Sequence, residues 1–253
     1  MATQLGVPRP SLASLLVAQR KNGGSTGSAT AFIVERSAKR YLVTNRHVVR
    51  GERPNDLPVL PDELVVMQHV SGPVGRLTWM PRTEKLYAEG EPRWYEHPSR
   101  PLEIDVAVLP LANDMGIDVY AYDPWAANRM LSVRVSEELH IIGFPFGETG
   151  GGALGIWVRG FIATDIEMDW NGLPRFLVDS RTRPGQSGSP VVAFSPAGAP
   201  THMASGGVQF LDHDLEEFFG VYSGRINAES DLGIVWKAQV VREIIEAAKA
   251  AAL

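Results

Sequence analysis

Short apolar runs, separated by glycine, proline and polar residues, recur along most of the chain. Runs of this length and spacing predict β-strands joined by tight turns. The clearest of them cover residues 41–43, 64–67, 104–111, 139–142, 176–178, 191–194 and 218–226. The end of the chain differs, because within residues 236–250 apolar side chains recur at helical spacing, at Val240, Val241, Ile244, Ile245 and Ala248. The pattern predicts an all-β protein with a C-terminal α-helix.

Composition supports this interpretation. The chain has 253 residues, of which 44% are apolar, and this is enough to fill the core of one all-β domain or two small ones. The 25 glycines and 18 prolines fit the frequent turns of a sandwich or barrel better than βαβ units.

One of the predicted turns contains a serine flanked by glycines, in the sequence RPGQSGSP at residues 183–190. The apolar runs on both sides make it a tight loop between two strands. Gly185 would let the backbone turn so that its N–H and that of Ser187 point at one spot, and two such donors stabilise the oxyanion of acyl transfer. An ordinary hairpin loop is the alternative, and the choice depends on whether a base and an acid lie elsewhere in the chain.

A histidine and an aspartate in apolar surroundings supply these two groups. His47 ends a strand-like run that begins at residue 41, and Asp105 lies at the start of the run 104–111. A carboxylate in such a run is costly to bury unless it is paired. A hydrogen bond with His47 would pair it and fix the imidazole tautomer, leaving the other ring nitrogen to take the Ser187 proton. The order His, Asp, Ser is the one found in chymotrypsin-type enzymes.

Six segments occur along the chain in the same order as in the chymotrypsin-fold serine peptidases. The chain therefore resembles these enzymes, and most closely the protease domain of the HtrA/Deg group. The segments are GSATAFIV (27–34), VTNRHVV (43–49), DVAVL (105–109), GFPFG (143–147), VD with PGQSG (178–179 and 184–188), and FGVY (219–222). The resemblance implies two six-stranded antiparallel β-barrels with the active site in the cleft between them. We expect one trypsin-like peptidase domain over residues 1–253, with an N-terminal arm and the first barrel in 1–120, and the second barrel and C-terminal helix in 121–253.

Two further segments, residues 12–18 and 147–155, carry structural expectations. Residues 12–18 form an apolar patch that is interrupted by Ser14 and has no basic segment before it, so they fit a signal peptide poorly. We expect a helix or strand on the outside of the first barrel, with a partner-docking arm as the alternative. The glycine-rich residues 147–155 are expected to be a loop beside the active site that substrate or a partner orders, or else an ordinary surface loop. No PDZ domain is expected after the helix.

The resemblance also implies a groove for an extended peptide. Residues 218–226 match its edge strand, where the backbone of Ser223, Gly224 and Arg225 should pair with substrate by strand addition. Ser223 matches the position whose hydroxyl supports the triad aspartate. Tyr222 is expected to contribute to the same substrate site.

Two positions depart from trypsin. Arg181 lies six residues before the candidate nucleophile, where trypsin has the acidic floor of its primary pocket. It would favour an acidic or small residue at the cleavage site, or else it faces solvent, and Thr182 beside it is expected to line the same pocket. Gln186 replaces the aspartate that pairs with a new N-terminus in trypsin, so activation by that kind of cleavage is not expected.

Net charge and cysteine content narrow the function classes. The net charge is −5 and no basic block is present, which argues against nucleic acid and anionic membranes as partners. The absence of cysteine excludes disulfides and thiolate metal sites and favours the cytoplasm over an oxidising compartment. The cluster Asp212, His213 and Asp214 lacks a further well-spaced ligand. We therefore expect neither a metal nor an organic cofactor.

Together these features predict a serine endopeptidase. Ser187 would attack the peptide carbonyl with His47 as base, Asp105 would stabilise the imidazolium, and the N–H groups of Gly185 and Ser187 would hold the oxyanion. Because an unrestrained cytoplasmic protease would be harmful, we expect latency until substrate or a regulatory protein partner activates it. The alternative is a catalytically silent module that keeps the peptide groove.

Overall fold

The computed structural model of the protein describes residues 6–52, 58–72, 76–112, 115–126 and 128–250, so both ends of the expected domain lie outside the described residues. The strands are β1 Ser14–Lys21, β2 Gly24–Arg36, β3 Lys39–Thr44, β4 Glu63–Val70, β5 Thr78–Lys85, β6 Tyr87–Ala88, β7 Glu91–Pro92, β8 Ala107–Pro110, β9 Glu138–Gly143, β10 Ile156–Ile162, β11 Arg175–Ser180, β12 Pro190–Ser195, β13 Pro200–His202, β14 Val208–Phe210, β15 Leu215–Arg225 and β16 Leu232–Lys237. The α-helices are α1 Arg9–Ala13, α2 Arg46–Arg50 and α3 Ala238–Ala250, and 3₁₀ turns cover Pro145–Gly147 and Trp170–Gly172. The predicted all-β class with a C-terminal helix is confirmed.

The first half of the chain forms a six-stranded antiparallel sheet in the order β5-β4-β1-β2-β3-β8. The expected closure into a barrel does not occur, since no ladder joins β5 to β8 in the described part of the chain. The outer edge of β8 instead bonds to Tyr95, whose N–H donates to Val108 O at 2.8 Å and whose carbonyl accepts from Val108 N at 3.0 Å. The strand is also short and ends in Pro110, which has no N–H to extend a ladder.

The N-terminal apolar patch is part of this sheet, and its expected position on the outside is wrong. Strand β1 lies between β2 and β4, with Val17 opposite Ala29 on one side and Val66 on the other. Leu15 and Val17 point into the core, where they are 3% and 0% exposed. A central strand needs apolar residues on its core face, so the patch serves the core and is not a docking arm.

The second half of the chain forms a closed six-stranded barrel in the order β10-β11-β16-β15-β12-β9. Its interior holds a cluster of buried apolar side chains from all parts of the ring, which include Leu139, Ile141, Phe176, Val178, Val191, Phe219, Tyr222 and Val235. Closure gives each strand of the ring two neighbouring strands. The residues that carry the candidate nucleophile connect β11 to β12 of this barrel.

Helix α3 packs between the two halves of the molecule, and not only on the second barrel with which the sequence grouped it. Its apolar face shares one core cluster with Val106 and Val108 of the first half and Val221 of the second, through Val240, Val241, Ile244 and Ile245. The helix begins at Ala238, because Trp236 and Lys237 still belong to β16. No helix among the described residues is long and apolar enough to cross a membrane.

Candidate active site

His47 lies in the short helix α2 and not at the end of a strand as the apolar run had indicated, because β3 already ends at Thr44. The helix brings both the backbone and the ring of His47 to the same carboxylate. The N–H of His47 donates to Asp105 Oδ1 at 2.9 Å, and its Nδ1 lies 2.7 Å from Asp105 Oδ2. Because both oxygens are engaged by one residue, the ring plane and its tautomer are fixed with the proton on Nδ1.

Asp105 has further partners on both sides. Asn45 Nδ2 donates to the carbonyl of Asp105 at 2.7 Å, and Ser223 Oγ donates to its Oδ2. Burial by itself would raise the pKa of Asp105, but the imidazole and the donated hydrogen bonds hold it below its usual value. The carboxylate is therefore ionised at neutral pH, and the prediction that Ser223 supports Asp105 agrees with this geometry.

The His47 ring combines burial with a close negative charge. Burial opposes its protonation, but the charge and hydrogen bond of Asp105 outweigh it, so that the pKa of His47 lies above the ordinary 6.5. No hydrogen bond in the described part of the chain involves Nε2 of this ring. A neutral His47 thus presents an unprotonated, unoccupied nitrogen that can accept a proton.

Ser187 stands half-buried in the loop between β11 and β12, and two glycines allow the loop to pack closely. Gly185 has φ +97°, and a Cβ there would overlap the carbonyl oxygen of Phe144 and stand 3.0 Å from Phe146 N. Gly188 has φ +84°, where a Cβ would stand 3.1 Å from the Cα of Thr44. Only glycine satisfies both the positive φ and the lack of space. The N–H groups of Gly185 and Ser187 donate to no acceptor among the described residues.

Thr30 holds this loop in place, and no role was predicted for it. Its N–H donates to Ser187 O at 2.9 Å, and its hydroxyl donates to Gly185 O at 2.9 Å while accepting from Phe144 N at 3.1 Å. Thr44 Oγ1 in turn donates to the carbonyl of Thr30 at 2.8 Å. The signal available in the sequence was a threonine within the apolar stretch of residues 29–34, because a hydroxyl in a buried strand must find partners. In the structure Thr30 is 0% exposed.

Strand β15 brings the Ser187 loop and the His47–Asp105 pair to one cleft. Gly188 N donates to the carbonyl of Tyr222 at 2.9 Å, and the next residue, Ser223, bonds the carboxylate of Asp105. The three sequence-predicted residues of the triad are thereby gathered between the two halves of the chain. No hydrogen bond joins Ser187 Oγ to the His47 ring in the part of the chain that the structure describes. Such bonds are often long in unliganded enzymes and tighten only around substrate.

A comparison with protein families identifies the family of this chain. Residues 29–196 match the family of trypsin-like peptidase domains. The chain belongs to this family. The match confirms the resemblance to chymotrypsin-fold peptidases that the sequence segments indicated. No curated protein matches the chain in sequence.

Solved structures of two bacterial proteases share the fold. A serine endoprotease from Yersinia pestis superposes with a TM-score of 0.54 at 16% identity, covering 97% of this chain and 66% of that one. A protease from Mycobacterium tuberculosis in its active form gives a TM-score of 0.51 at 15% identity, covering 97% of this chain and 86% of that one. At such low identity these likenesses establish the fold, and the chemistry of the site depends on its own residues.

Within this trypsin-like peptidase domain, the predicted groove residues lie beside the Ser187 loop. Ser223 and Gly224 are half-buried and Arg225 is exposed. Strand β15 pairs with β16 on one side, whereas its pairing with β12 on the other side ends at Val221. The outer edge of Ser223 to Arg225 therefore has no partner strand in the described part of the domain.

The other predicted pocket residues divide into exposed and buried. Arg181 is exposed, so its side chain reaches solvent and does not form a buried floor. Thr182 and Tyr222 are only 1% and 2% exposed, and their hydroxyl groups are hydrogen-bonded to each other. Gln186 is fully buried, and its Oε1 accepts from Arg183 N at 2.8 Å within the loop.

The glycine-rich loop of residues 147–155, which begins at the 3₁₀ turn Pro145–Gly147, is closed by its own hydrogen bonds. Gly150 N donates to Leu154 O at 2.9 Å, and Leu154 N donates to Gly151 O at 3.1 Å. Its ordering by substrate or a partner stays a prediction. The Asp212–His213 pair is exposed, with 2.7 Å between Oδ1 and Nδ1, and no group of three metal-ligating side chains is present in the described residues.

Proposed function

We propose that this chain is a serine endopeptidase that hydrolyses peptide bonds through His47, Asp105 and Ser187 and an acyl-enzyme intermediate. The observation that carries the proposal is the His47 ring, which is bound to Asp105 through Nδ1 and leaves Nε2 free beside the Ser187 loop. This is the arrangement that a general base needs. Membership of the trypsin-like peptidase family gives independent support.

In the proposed reaction, an extended peptide adds to the outer edge of Ser223 to Arg225 as a further strand. Ser187 Oγ attacks the scissile carbonyl carbon while its proton passes to His47 Nε2, and Asp105 stabilises the imidazolium. The N–H groups of Gly185 and Ser187 bind the oxyanion. The imidazolium then protonates the leaving amine, and water, activated by the same base, hydrolyses the acyl-enzyme. The reaction needs no metal or organic cofactor.

We also propose that the enzyme works in the cytoplasm and is latent until substrate or a regulatory protein partner binds. The lack of cysteine supports the location, and the harm that an unrestrained cytoplasmic protease would cause supports latency. The second candidate function is a catalytically silent module that binds peptides in the groove without cleaving them, and the outer edge of Ser223 to Arg225, which has no partner strand in the described part of the domain, supports it as well.

Labelling with a fluorophosphonate, which reacts with activated serines, tests the proposal. We expect covalent labelling of the wild type that Ser187→Ala abolishes and His47→Ala strongly reduces. Two matched controls, Ser189→Ala in the same loop and His97→Gln in the first half, should keep the label. Cleavage of a peptide library, read by mass spectrometry, should follow the same pattern and establishes that the activity is peptidase activity.

The latent enzyme and the silent module give different results in this experiment. A latent enzyme remains unlabelled when purified and gains label at Ser187 when cell lysate or peptide is added. A folded wild type that stays unlabelled under both conditions, while peptides still bind to it, would refute the peptidase and leave the binding module.

A further inference from the structure

The space beside Ser187 has three walls in this molecule. One is the loop of residues 181–188, and the second is β15, which is bonded to this loop through Gly188 N and Tyr222 O at 2.9 Å. The third is β16, in which Gly233 lies opposite Arg225 of β15. A peptide that adds along β15 with its carbonyl at Ser187 has alternate side chains on opposite faces, and we take the side chain before the scissile bond to be one that faces this space.

The ring of Tyr222 occupies this space. Its hydroxyl group bonds to Thr182 Oγ1 on the loop wall. On the opposite wall, its Cε2 atom lies 2.5 Å from where a Cβ on Gly233 would stand, and its hydroxyl oxygen lies 3.1 Å from that point. The ring thus spans from the loop to β16, and it can do so only because residue 233 has no side chain. Both hydroxyl-bearing residues are almost completely buried.

We propose that Tyr222 is the specificity-determining residue of the site and restricts the residue before the cleaved bond to glycine, alanine or serine. This inference rests on the proposed peptidase function. A larger side chain would have to displace the ring, which would separate the hydroxyl groups of Tyr222 and Thr182 and leave a buried polar group unpaired. A small side chain fits above the ring edge without moving it.

The barrier to larger residues does not depend on pH in the physiological range. Burial raises the pKa of Tyr222 to about 12, with the hydrogen bond between Tyr222 and Thr182 as an opposing influence. The phenol therefore remains neutral and keeps its partner. The exposed guanidinium groups of Arg181 and Arg225 lie next to the walls of the same space, so cleavage after an acidic residue is the main competing expectation.

Peptidyl diphenyl phosphonates that differ only in the side chain before the phosphorus measure this preference directly at Ser187. The serine oxygen displaces one phenoxide from phosphorus, so the labelling rate reports how well that side chain is accepted. For the wild type we expect Ala to exceed Leu, Phe and Asp. In Tyr222→Val the rates for Leu and Phe relative to Ala should rise about tenfold or more, since pocket volume discriminates by this order.

Two control variants separate an opened pocket from a loosened core. Tyr222→Phe keeps the ring but loses the hydroxyl that bonds it to Thr182, so it should still prefer Ala, by a smaller ratio than the wild type and a larger one than Tyr222→Val. Phe219→Val shortens a buried aromatic residue of the same strand, one that packs against Arg129, and it should lower stability without changing the preference. A wild type that accepts Phe as well as Ala, that prefers Asp, or whose preference is the same in Tyr222→Val, would overturn the assignment to Tyr222.

Failure of the assignment is distinguishable from failure of the proposed function. If neither the fluorophosphonate nor any phosphonate labels Ser187 in the presence of lysate, the peptidase proposal falls and this inference falls with it. If Ser187 is labelled but the side-chain preference is not the expected one, the peptidase stands and only the role of Tyr222 is refuted.

Discussion

Two histidine–carboxylate pairs in this molecule look alike at first and differ in their ring nitrogens. His47 Nδ1 lies 2.7 Å from Asp105, and His97 Nε2 lies 2.9 Å from Glu243. In His97 the second nitrogen, Nδ1, accepts from Arg100 N at 3.2 Å, so the ring carries its proton on Nε2 and both nitrogens are occupied. In His47 the proton is on Nδ1, and Nε2 has no partner among the described residues.

The two carboxylates differ as well, in the number of their partners and in their exposure. Asp105 is bound by the backbone and ring of His47 and by Ser223, and its side chain is 21% exposed. Glu243 is 46% exposed and reaches the His97 ring from helix α3. The second pair joins a loop to a helix, whereas the first orients a free nitrogen towards a cleft. A carboxylate partner alone therefore does not make a histidine a base.

The largest test of this difference replaces each carboxylate by its amide. Asp105→Asn should lower the labelling rate of Ser187 by about 10⁴-fold, because an amide in this place stabilises the wrong imidazole tautomer and cannot balance the imidazolium. Glu243→Gln should leave the labelling rate within about twofold, since substitutions of exposed residues outside the site have little effect. The second-order rate with a fluorophosphonate measures both. Equal effects of the two substitutions would remove the distinction between the pairs.

A free imidazole nitrogen can act as a catalytic base only if a nucleophile and oxyanion donors lie opposite it. The His97 pair lacks these groups. Gly185→Ala leaves both histidine pairs intact but places a methyl group against the carbonyl of Phe144. We expect a loss of about 10²–10³-fold in the labelling rate, as for the removal of one oxyanion donor. Gly198→Ala is the matched control, because this glycine also has a positive φ, +76°, but open space around it.

If Gly198→Ala lowered the labelling rate as much as Gly185→Ala, backbone strain and not the close approach to Phe144 would be the cause. Thermal unfolding of both variants should be recorded in parallel. It shows whether the Gly185 variant remains folded, and only a folded protein with a slow Ser187 supports the assignment.

The pH dependence of the labelling rate is a smaller effect, about tenfold per pH unit on the acid side, and it distinguishes His47 from His97. His47 acts as a base only when it is neutral, and its pKa is raised above 6.5 because Asp105 outweighs burial. The labelling rate should therefore fall as the pH drops through a midpoint above 6.5. In Asp105→Asn burial remains without the compensating charge, so the His47 ring should titrate below 6.5, as NMR can measure. A wild-type midpoint below 6.5 would contradict this electrostatic account.

The sequence was sufficient to single out the candidate reacting residues, because each is chemically out of place in its surroundings. Asp105 is a carboxylate in an apolar run, and Ser187 lies between two glycines that a plain hairpin would not need. The strand pattern likewise predicted the all-β class. These are local signals, and they depend on burial costs that can be assessed from neighbours in the chain.

The contacts that position these residues could not be predicted, since they join distant parts of the chain. Thr30 donates a hydrogen bond to Gly185 of the Ser187 loop, which lies 155 residues later in the chain. Nothing in the sequence around Thr30 specifies that partner. The packing of Tyr222 between Thr182 and Gly233 is a property of the closed barrel. The open first sheet also escaped prediction, because the edge of a strand is occupied by whichever segment reaches it, here Tyr95.

The smallest expected effect on rate, and the one that completes the comparison, is that of His97→Gln. Removing this ring takes a partner from Glu243 and an acceptor from Arg100 N, but Glu243 is nearly half exposed and water replaces its lost bond. The free energy of unfolding in urea should fall by about 1 kcal/mol. The labelling rate and its pH midpoint should match the wild type. A shift of that midpoint would mean that His97 is coupled to the cleft after all, since a purely structural histidine lowers stability without changing the titration of His47.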